Sequence, residues 1–394
     1  MTRKYYSGWD IKKTISIEEL RQLAIRRIPE FALEFLEGGA EDELTLEWNR
    51  EVFRSKRFIP RTLVDTSLRH TRIRLFDQEA PSPLIIAPTG HNGILWNGGD
   101  VALARAAASR GIPFTLGTLS NTKIEVLPEK SNGRLWFQLY YFGDPKLTDD
   151  LIEKADRSGY EALVFTTDAN VYGLREWDRR HFRAPAQLTI RSTFEALQHP
   201  RWMLDIMIRG GGIPRLENVV DFFPPDARNT RAAVTHVPKL FVPTITWEHL
   251  AELRQRWPRK LIAKGILCVE DAVRAADIGC DAIVISNHGA RHLDSSVSSL
   301  EVLPAISAAV GNRVTIIVDS GFRRGSDIVK AIALGADAVM VGRATLYGLA
   351  AGGEEGVAHA LDLLNEEIHR VLGQIGRVSL DDLDPQCIQE FANT

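Results

Sequence analysis

Asp281-Ala-Ile-Val-Ile-Ser-Asn-His-Gly-Ala-Arg-His-Leu-Asp294 is the stretch on which the fold turns. Its first residues, through Ile285, form an apolar run that reads as a buried parallel strand, because strands covered on both faces lose the apolar–polar alternation. The run ends in Ser286-Asn287-His288-Gly289, and Arg291 follows three residues after the histidine. In parallel α/β folds the C-terminal mouth of the strands is where chemistry sits. Histidine titrates near neutrality and suits proton abstraction. Arginine presents a planar fork that matches a carboxylate. A base and an anion clamp on one short loop point to proton removal from an acid substrate. The alternative is a hydrogen-bonding loop histidine beside a solvated arginine, and the other strand ends weigh between the two.

Outward from this strand the same pattern recurs. Apolar runs at Leu84–Ala87, Pro113–Leu116, Leu135–Tyr140, Ala162–Thr167, Leu261–Lys264, Ala282–Ser286, Thr315–Val318 and Ala338–Val341 make eight strand candidates. Helical segments lie between most of them, among them Asp100–Arg110, Pro145–Ser158, Val269–Ile278, Ser299–Val310 and Ser326–Leu334. Eight β-α units in series predict an α/β fold of the (β/α)8 TIM barrel type. A doubly wound open sheet is the alternative, but it needs a reversal of strand order and fewer strands.

Two segments lie outside the repeat. Residues 16–57 read as an N-terminal helical cap, with Ser16-x-x-Glu19 as a capping box, Gly38-Gly39 as a helix stop, and Leu44, Leu46 and Trp48 available for packing. The interval from the fourth strand to the fifth is about ninety residues, far more than a β-α unit needs, so residues 176–242 form an insertion after strand 4. Its middle, His199-Pro-Arg-Trp-Met-Leu-Asp-Ile-Met-Ile-Arg209, is apolar and aromatic with arginines near both ends. A membrane-interfacial segment dipping Trp202, Met203, Ile206 and Met207 into lipid has this composition, and so does a lid or a subunit contact. Pro200 and the glycines after Arg209 argue against one long helix. With cap and insertion assigned, residues 1–394 are expected to be a single domain.

Composition excludes several classes. The 394 residues are 44% hydrophobic and 25% charged, ordinary for a globular protein with a large core. A net charge of -3 offers no basic excess for a nucleic acid. Cys268, Cys280 and Cys387 have no metal spacing and cannot all pair, so a reduced cytoplasmic setting is expected. The first residues lack the apolar core of a signal peptide, and no apolar run reaches the length of a membrane span. No His/Cys/carboxylate cluster has metal-ligand spacing, so no metal is expected.

The strand ends carry polar residues in succession: Ala87-Pro88-Thr89-Gly90, Gln138-Leu139-Tyr140, Thr166-Thr167-Asp168 with Arg175 beyond, Lys264-Gly265, Asp319-Ser320-Gly321 with Arg323 and Arg324 beyond, and Gly342-Arg343. Each is weak alone. Gly321 and Gly342 let backbone N–H groups approach an anion, and Arg323 and Arg343 add charge, so the last two loops read as a phosphate site. A lysine at a buried strand end needs an electron-rich partner. The N1–C2=O2 edge of a reduced flavin is such a partner for Lys264, and Gln138, Thr166 and Ser286 suit the ring's other polar edges. No Gly-x-Gly-x-x-Gly opens a helix after the first strand, so a nicotinamide site is not supported.

These pieces, with Ser286-Asn-His-Gly-Ala-Arg291-x-Leu293-Asp294 and Asp319-x-Gly321-x-Arg323-Arg324-Gly325, resemble the FMN-dependent L-2-hydroxyacid oxidase/dehydrogenase family from about Ile17 to Gly373. Leu36-Glu-Gly-Gly-Ala-Glu-Asp42, Pro88-Thr-Gly-His-Asn-Gly93 and Asp319-Ser-Gly-Phe-Arg-Arg-Gly-Ser-Asp-Ile-Val329 look most like its bacterial mandelate dehydrogenase branch. The insertion is also similar to the membrane-binding segment of the membrane-associated members. The resemblance implies FMN as cofactor and oxidation of an aromatic or bulky L-2-hydroxy acid to the 2-oxo acid. It implies electrons passed to a quinone or to O2, and a homo-oligomer, tetramer or larger. If the insertion binds lipid, the protein lies peripherally on the inner face of the membrane.

Residue by residue, the resemblance makes His288 the base, with Asp168 stabilising its imidazolium. Tyr140 bonds the substrate hydroxyl, and Arg291 and Arg175 bind its carboxylate or neighbouring charge. Lys264 stabilises negative charge at flavin N1/O2, and Pro88 and Thr89 lie by N5. Gln138, Thr166 and Ser286 meet the ring, and Asp319 meets the ribityl chain. Gly321, Arg323, Gly342 and Arg343 hold the phosphate. Two positions depart from the family. Phe35 stands where the family has a tyrosine that bonds the substrate carboxylate, a loss of roughly 1.5–3 kcal/mol. Gly117 stands where a serine is usual, leaving only a backbone N–H toward the flavin. Two further readings remain: another oxidation on the same scaffold in a biosynthetic pathway, favoured by Phe35, and a non-catalytic membrane-associated flavoprotein, disfavoured because a binding module needs no base.

Overall fold

Eight short, almost wholly buried strands close into one parallel barrel. They are β1 (Leu84–Thr89), β2 (Phe114–Gly117), β3 (Leu135–Leu139), β4 (Ala162–Thr166), β5 (Lys260–Ile266), β6 (Ala282–Ile285), β7 (Thr315–Val318) and β8 (Ala338–Val341). Each pairs with its neighbours in sequence, and β8 closes on β1. The computed structural model describes residues 4–184, 187–225, 228 and 236–391. All eight strands lie where their apolar runs predict, and β5 runs farther in both directions, from Lys260 to Ile266. Their continuous Val/Ile/Leu character follows from burial on both faces.

The cap forms three helices: α1 (Ile17–Arg27), α2 (Glu30–Glu37) and α3 (Leu44–Ser55). Ser16 caps α1 by accepting from the Glu19 N–H at 3.2 Å. Glu19 does not return the bond to Ser16; its carboxylate accepts from the Tyr6 and Ile15 N–H groups instead. Gly38 ends α2 with its N–H on the Glu34 carbonyl and without a left-handed turn. The buried face of α3 is Thr45, Asn49 and Phe53, whereas Leu44 and Trp48 point to solvent, contrary to expectation. The reason lies at the helix start. The carboxylate of Asp294, at the end of the β6 loop, accepts from the Leu44 and Thr45 N–H groups at 3.2 and 2.8 Å. That long-range cap fixes the rotation of α3 against the barrel and ties the cap to the β6 mouth.

The described part of the insertion docks on the cap and on the β1 loop. It contains a helix Ile190–Leu197, a turn Pro200–Trp202, and a π-helical turn Met203–Arg209. Short helices here agree with the breaks read at Pro200 and the glycines. Its orientation differs from the lipid-dipping expectation. Trp202 and Ile206 are buried. The Trp202 indole donates to the Ile94 carbonyl at 2.7 Å and stands edge-on to Phe31. Asp205 pairs with the buried Arg27 of α1 at 2.7 Å. The outward side carries Ile190, Phe194, Leu197, Leu204, Met207 and Ile208. The expected insertion also covers residues 185–186, 226–227 and 229–235, which lie outside the described residues. No helix among the described residues is long and apolar enough to cross a membrane.

Candidate active site

The β6 loop is wound into an unusual turn. His288, Gly289 and Ala290 all have positive φ, at 57°, 64° and 63°. For a histidine and an alanine this costs energy, and it persists only when the surroundings over-determine it. They do so here. Ser286 Oγ accepts the His288 N–H at 3.0 Å, Ser320 Oγ accepts the Gly289 N–H at 3.1 Å, and Arg343 donates to the Gly289 carbonyl at 2.8 Å. The turn swings the His288 ring over the barrel mouth, where Nδ1 lies 3.0 Å from Asp168 Oδ1 and Nε2 lies 3.2 Å from the Tyr140 hydroxyl.

The charges set the roles of these atoms. Burial alone raises the Asp168 carboxyl, but the charge and hydrogen bond of His288, with Lys264 and His292 behind, outweigh it and hold Asp168 down to about 2. An ionised Asp168 accepts only, so His288 keeps a proton on Nδ1, and in its neutral form the lone pair lies at Nε2. The Tyr140 hydroxyl is pushed upward by burial and by Asp168, while Arg175 and Arg291 pull it down. Tyr140 is therefore a neutral donor beside Nε2. His292 packs edge-on against His288 with ring centroids 4.3 Å apart, and burial together with the His288 charge lowers it to about 3.

Arg291 donates to the Phe35 and Gly38 carbonyls at 3.0 Å, and its guanidinium lies 5.3 Å from the Phe35 ring centre. Arg175 donates to the Tyr172 hydroxyl at 2.7 Å. The charges of both arginines act on the Tyr140 hydroxyl, which faces His288.

The residues read from the sequence as cofactor-binding gather on the neighbouring side. Lys264 is buried with Nζ 2.7 Å from Ser286 Oγ and 3.2 Å from Asp319 Oδ2. Gln138 donates to Thr166 Oγ1 at 2.9 Å and accepts from the Thr118 N–H. Thr89 Oγ1 donates to Asn92, and Pro88 precedes it at the end of β1. A Cβ on Gly117 would sit 3.1 Å from the Thr89 carbonyl, so a side chain there would crowd β1. Gly321 lies at φ 87°, and a Cβ on it would overlap the Asn49 carbonyl of α3, which is why only glycine fits. Gly342 caps the start of the helix Arg343–Gln374, which is broken at Gly352–Gly353, whereas at the start of Gly325–Ala333 the Arg323, Arg324 and Gly325 N–H groups already donate to the Asp327 and Glu367 carboxylates. Arg343 is lowered to about 10 by burial and by the neighbouring Arg323 charge, and neither has a carboxylate within ion-pair distance among the described residues. Two mutually repelling arginines beside the helix N-terminus at Gly342 fit a dianionic phosphate. The Lys264 ammonium, the Gln138 amide and the Ser286 hydroxyl fit the polar edge of a flavin ring.

His91 was not singled out by residue chemistry in the sequence. It lies two residues beyond Thr89 at the mouth of β1, has φ 61°, and stands edge-on to Phe35 with ring centroids 5.9 Å apart. Its place at a strand end was the available signal. No group of three or more metal-ligating side chains forms among the described residues.

The family model for FMN-dependent dehydrogenase matches residues 24–390. The chain belongs to that family. Its cofactor is FMN. It is 44% identical to the (S)-mandelate dehydrogenase of Pseudomonas putida over 95% of this chain and 93% of that one. It is 38% identical to an L-lactate oxidase of Nostoc sp. over 95% and 98%. Among solved structures it is similar to the monotopic membrane protein (S)-mandelate dehydrogenase, with TM-score 0.91 and 43% identity over 96% of this chain and all of that one.

Proposed function

We propose that this FMN-dependent dehydrogenase oxidises an aromatic or otherwise bulky L-2-hydroxy acid to the 2-oxo acid. The observation that carries the reading is the Asp168–His288–Tyr140 array. A base with its lone pair at Nε2 faces a neutral phenol donor, at a mouth on which two arginines bear. In this reading Tyr140 and His288 Nε2 take the substrate hydroxyl between them. Arg291 and Arg175 hold the carboxylate, so the substrate's C2 is fixed in orientation. His288 Nε2 takes one proton from the substrate, and Asp168 stabilises the resulting imidazolium through Nδ1–H. Bound FMN would accept the two electrons together with the substrate's other hydrogen. Phe35, Tyr140 and Phe241 give the mouth an aromatic lining suited to a bulky substituent.

The same reading assigns Pro88, Thr89, Gly117, Gln138, Thr166, Lys264 and Ser286 to the ring, Asp319 to the ribityl chain, and Gly321, Arg323, Gly342 and Arg343 to the phosphate. The domain is one barrel with residues 16–57 as cap and 176–242 as insertion.

Electrons leave to a quinone or to O2. The exposed row Ile190, Phe194, Leu197, Leu204, Met207 and Ile208 supports a peripheral membrane face, because a surface normally hides such a patch. The solved neighbour named as a monotopic membrane protein supports it too. Family resemblance supports a homo-oligomer, tetramer or larger, which sedimentation reads directly. The test of substrate class is anaerobic bleaching of the bound FMN by a panel of 2-hydroxy acids, amino acids and simple alcohols. Bleaching by (S)-mandelate and related acids is expected; bleaching only by compounds without a 2-hydroxy-acid group refutes the reading.

A further inference from the structure

The loop after β1 holds a second imidazole at the barrel mouth with a defined proton. His91 Nδ1 lies 3.1 Å from Asn121 Nδ2. The orientation of that amide follows from its other bonds. Asn121 Oδ1 accepts the Gly93 N–H at 2.8 Å, and Nδ2 donates to the Arg215 carbonyl at 2.7 Å. The amide's second N–H is thus directed at His91 Nδ1, which must accept. The proton of the ring therefore resides on Nε2. Burial lowers the imidazole to about 4, only partly offset by Asn121, so the ring is neutral at ordinary pH.

The loop that carries the ring is rigid. Asn92 donates to Asp100 Oδ1 at 2.7 Å and to the Thr89 carbonyl at 3.0 Å, and Asp100 Oδ2 accepts the Asn121 N–H. No hydrogen bond of His91 Nε2 is found among the described residues, and the residue is partly exposed. Phe35 sets its surroundings. The Phe35 ring stands T-shaped to His91 with centroids 5.9 Å apart, and the Arg291 guanidinium lies 5.3 Å from its centre, so one apolar ring touches both polar groups. Phe35 itself offers no donor.

We propose that His91 is a specificity-determining residue of this site, donating a hydrogen bond from Nε2–H to a carboxylate oxygen of the substrate beside Arg291. This rests on the 2-hydroxy-acid reading above and deepens it. The tautomer is held partly by the Pro214–Arg215 backbone of the insertion, through Asn121, so the insertion takes part in building the substrate site. A substrate without an acceptor at that position forfeits the bond and leaves the donor facing an apolar ring.

The experiment uses the FMN-loaded full chain. Binding of (S)-mandelate and of its 2-oxo product is measured for wild type, His91→Leu and His91→Phe, the last keeping the ring packing against Phe35 without its nitrogens. Affinity for both acids, read from the perturbed flavin spectrum and from KM, is expected to fall roughly 10- to 100-fold, with kcat changing far less. Adding Phe35→Tyr to His91→Leu places a hydroxyl on the same wall and is expected to restore most of the affinity. A variant that retains FMN and binds both acids as wild type does overturns the proposal. So does a loss of affinity that Phe35→Tyr leaves untouched. If wild-type enzyme is bleached by no 2-hydroxy acid, the substrate reading itself has failed, which is a different result from an unchanged variant.

Discussion

Replacing Asp168 with asparagine removes one charge from the buried array without removing its shape. Asp168 is held at about 2 against an ordinary 3.8, even though burial by itself pushes a carboxyl up. That net depression corresponds to about 2 kcal/mol of favourable interaction with the groups around it, His288 foremost. The gross interaction is larger, because it has also overcome the burial penalty. Asp168→Asn surrenders most of it, and an amide turned the wrong way would offer N–H to Nδ1 and drive the proton to Nε2, where the lone pair is needed. The substrate-dependent rate of flavin bleaching is therefore expected to fall about 100-fold or more. Single-turnover mixing under anaerobic conditions measures it, with the flavin absorbance confirming that FMN is retained. A holoenzyme variant bleached within about threefold of wild type would show that the buried charge does nothing for proton removal.

Other consequences are open to measurement. Asp294→Ala removes the long-range cap of α3 and is expected to cost about 1–2 kcal/mol in urea unfolding; an unchanged midpoint would mean that the two N–H bonds contribute nothing net. His292, lowered to about 3, stays neutral in the fold while the unfolded chain takes up a proton below the ordinary 6.5. Its burial thus lowers stability as pH falls from 6.5 toward 3 and costs nothing above that window. His292→Gln should flatten the acid loss of stability, by roughly 2 kcal/mol at about pH 5, and an unaltered pH–stability curve would contradict this. Ile190→Ser, Phe194→Ser and Ile208→Ser together should abolish flotation with anionic vesicles while leaving FMN content unchanged, since all three side chains are exposed. Flotation equal to wild type would remove that face from membrane contact.

The barrel was legible because strands covered on both faces leave continuous apolar runs, and those runs need no partner to be recognised. The candidate site residues were legible because they lie at or beside the strand ends: His288 after β6, Asp168 after β4, Lys264 within β5. Contacts between distant segments were not. Asp294 reads as a loop residue until Leu44 and Thr45 are seen above it. Trp202 and Ile206 have a composition that suits lipid equally well, and only Phe31, Ile94 and Arg27 show that this side of the segment faces inward. His91 lay in a recognisable strand-end motif, but nothing local gave it a role. Its meaning depends on an amide thirty residues away, and that amide's orientation is set by carbonyls in the insertion.

The central claim is that His288 Nε2 takes a proton from a 2-hydroxy acid held at this mouth. The most direct test compares anaerobic flavin bleaching by (S)-mandelate in wild type and His288→Ala, both loaded with FMN. The account predicts rapid bleaching of wild type and a rate lower by at least roughly 100-fold in the variant, with the flavin still bound. Bleaching of His288→Ala at a near-normal rate would contradict it.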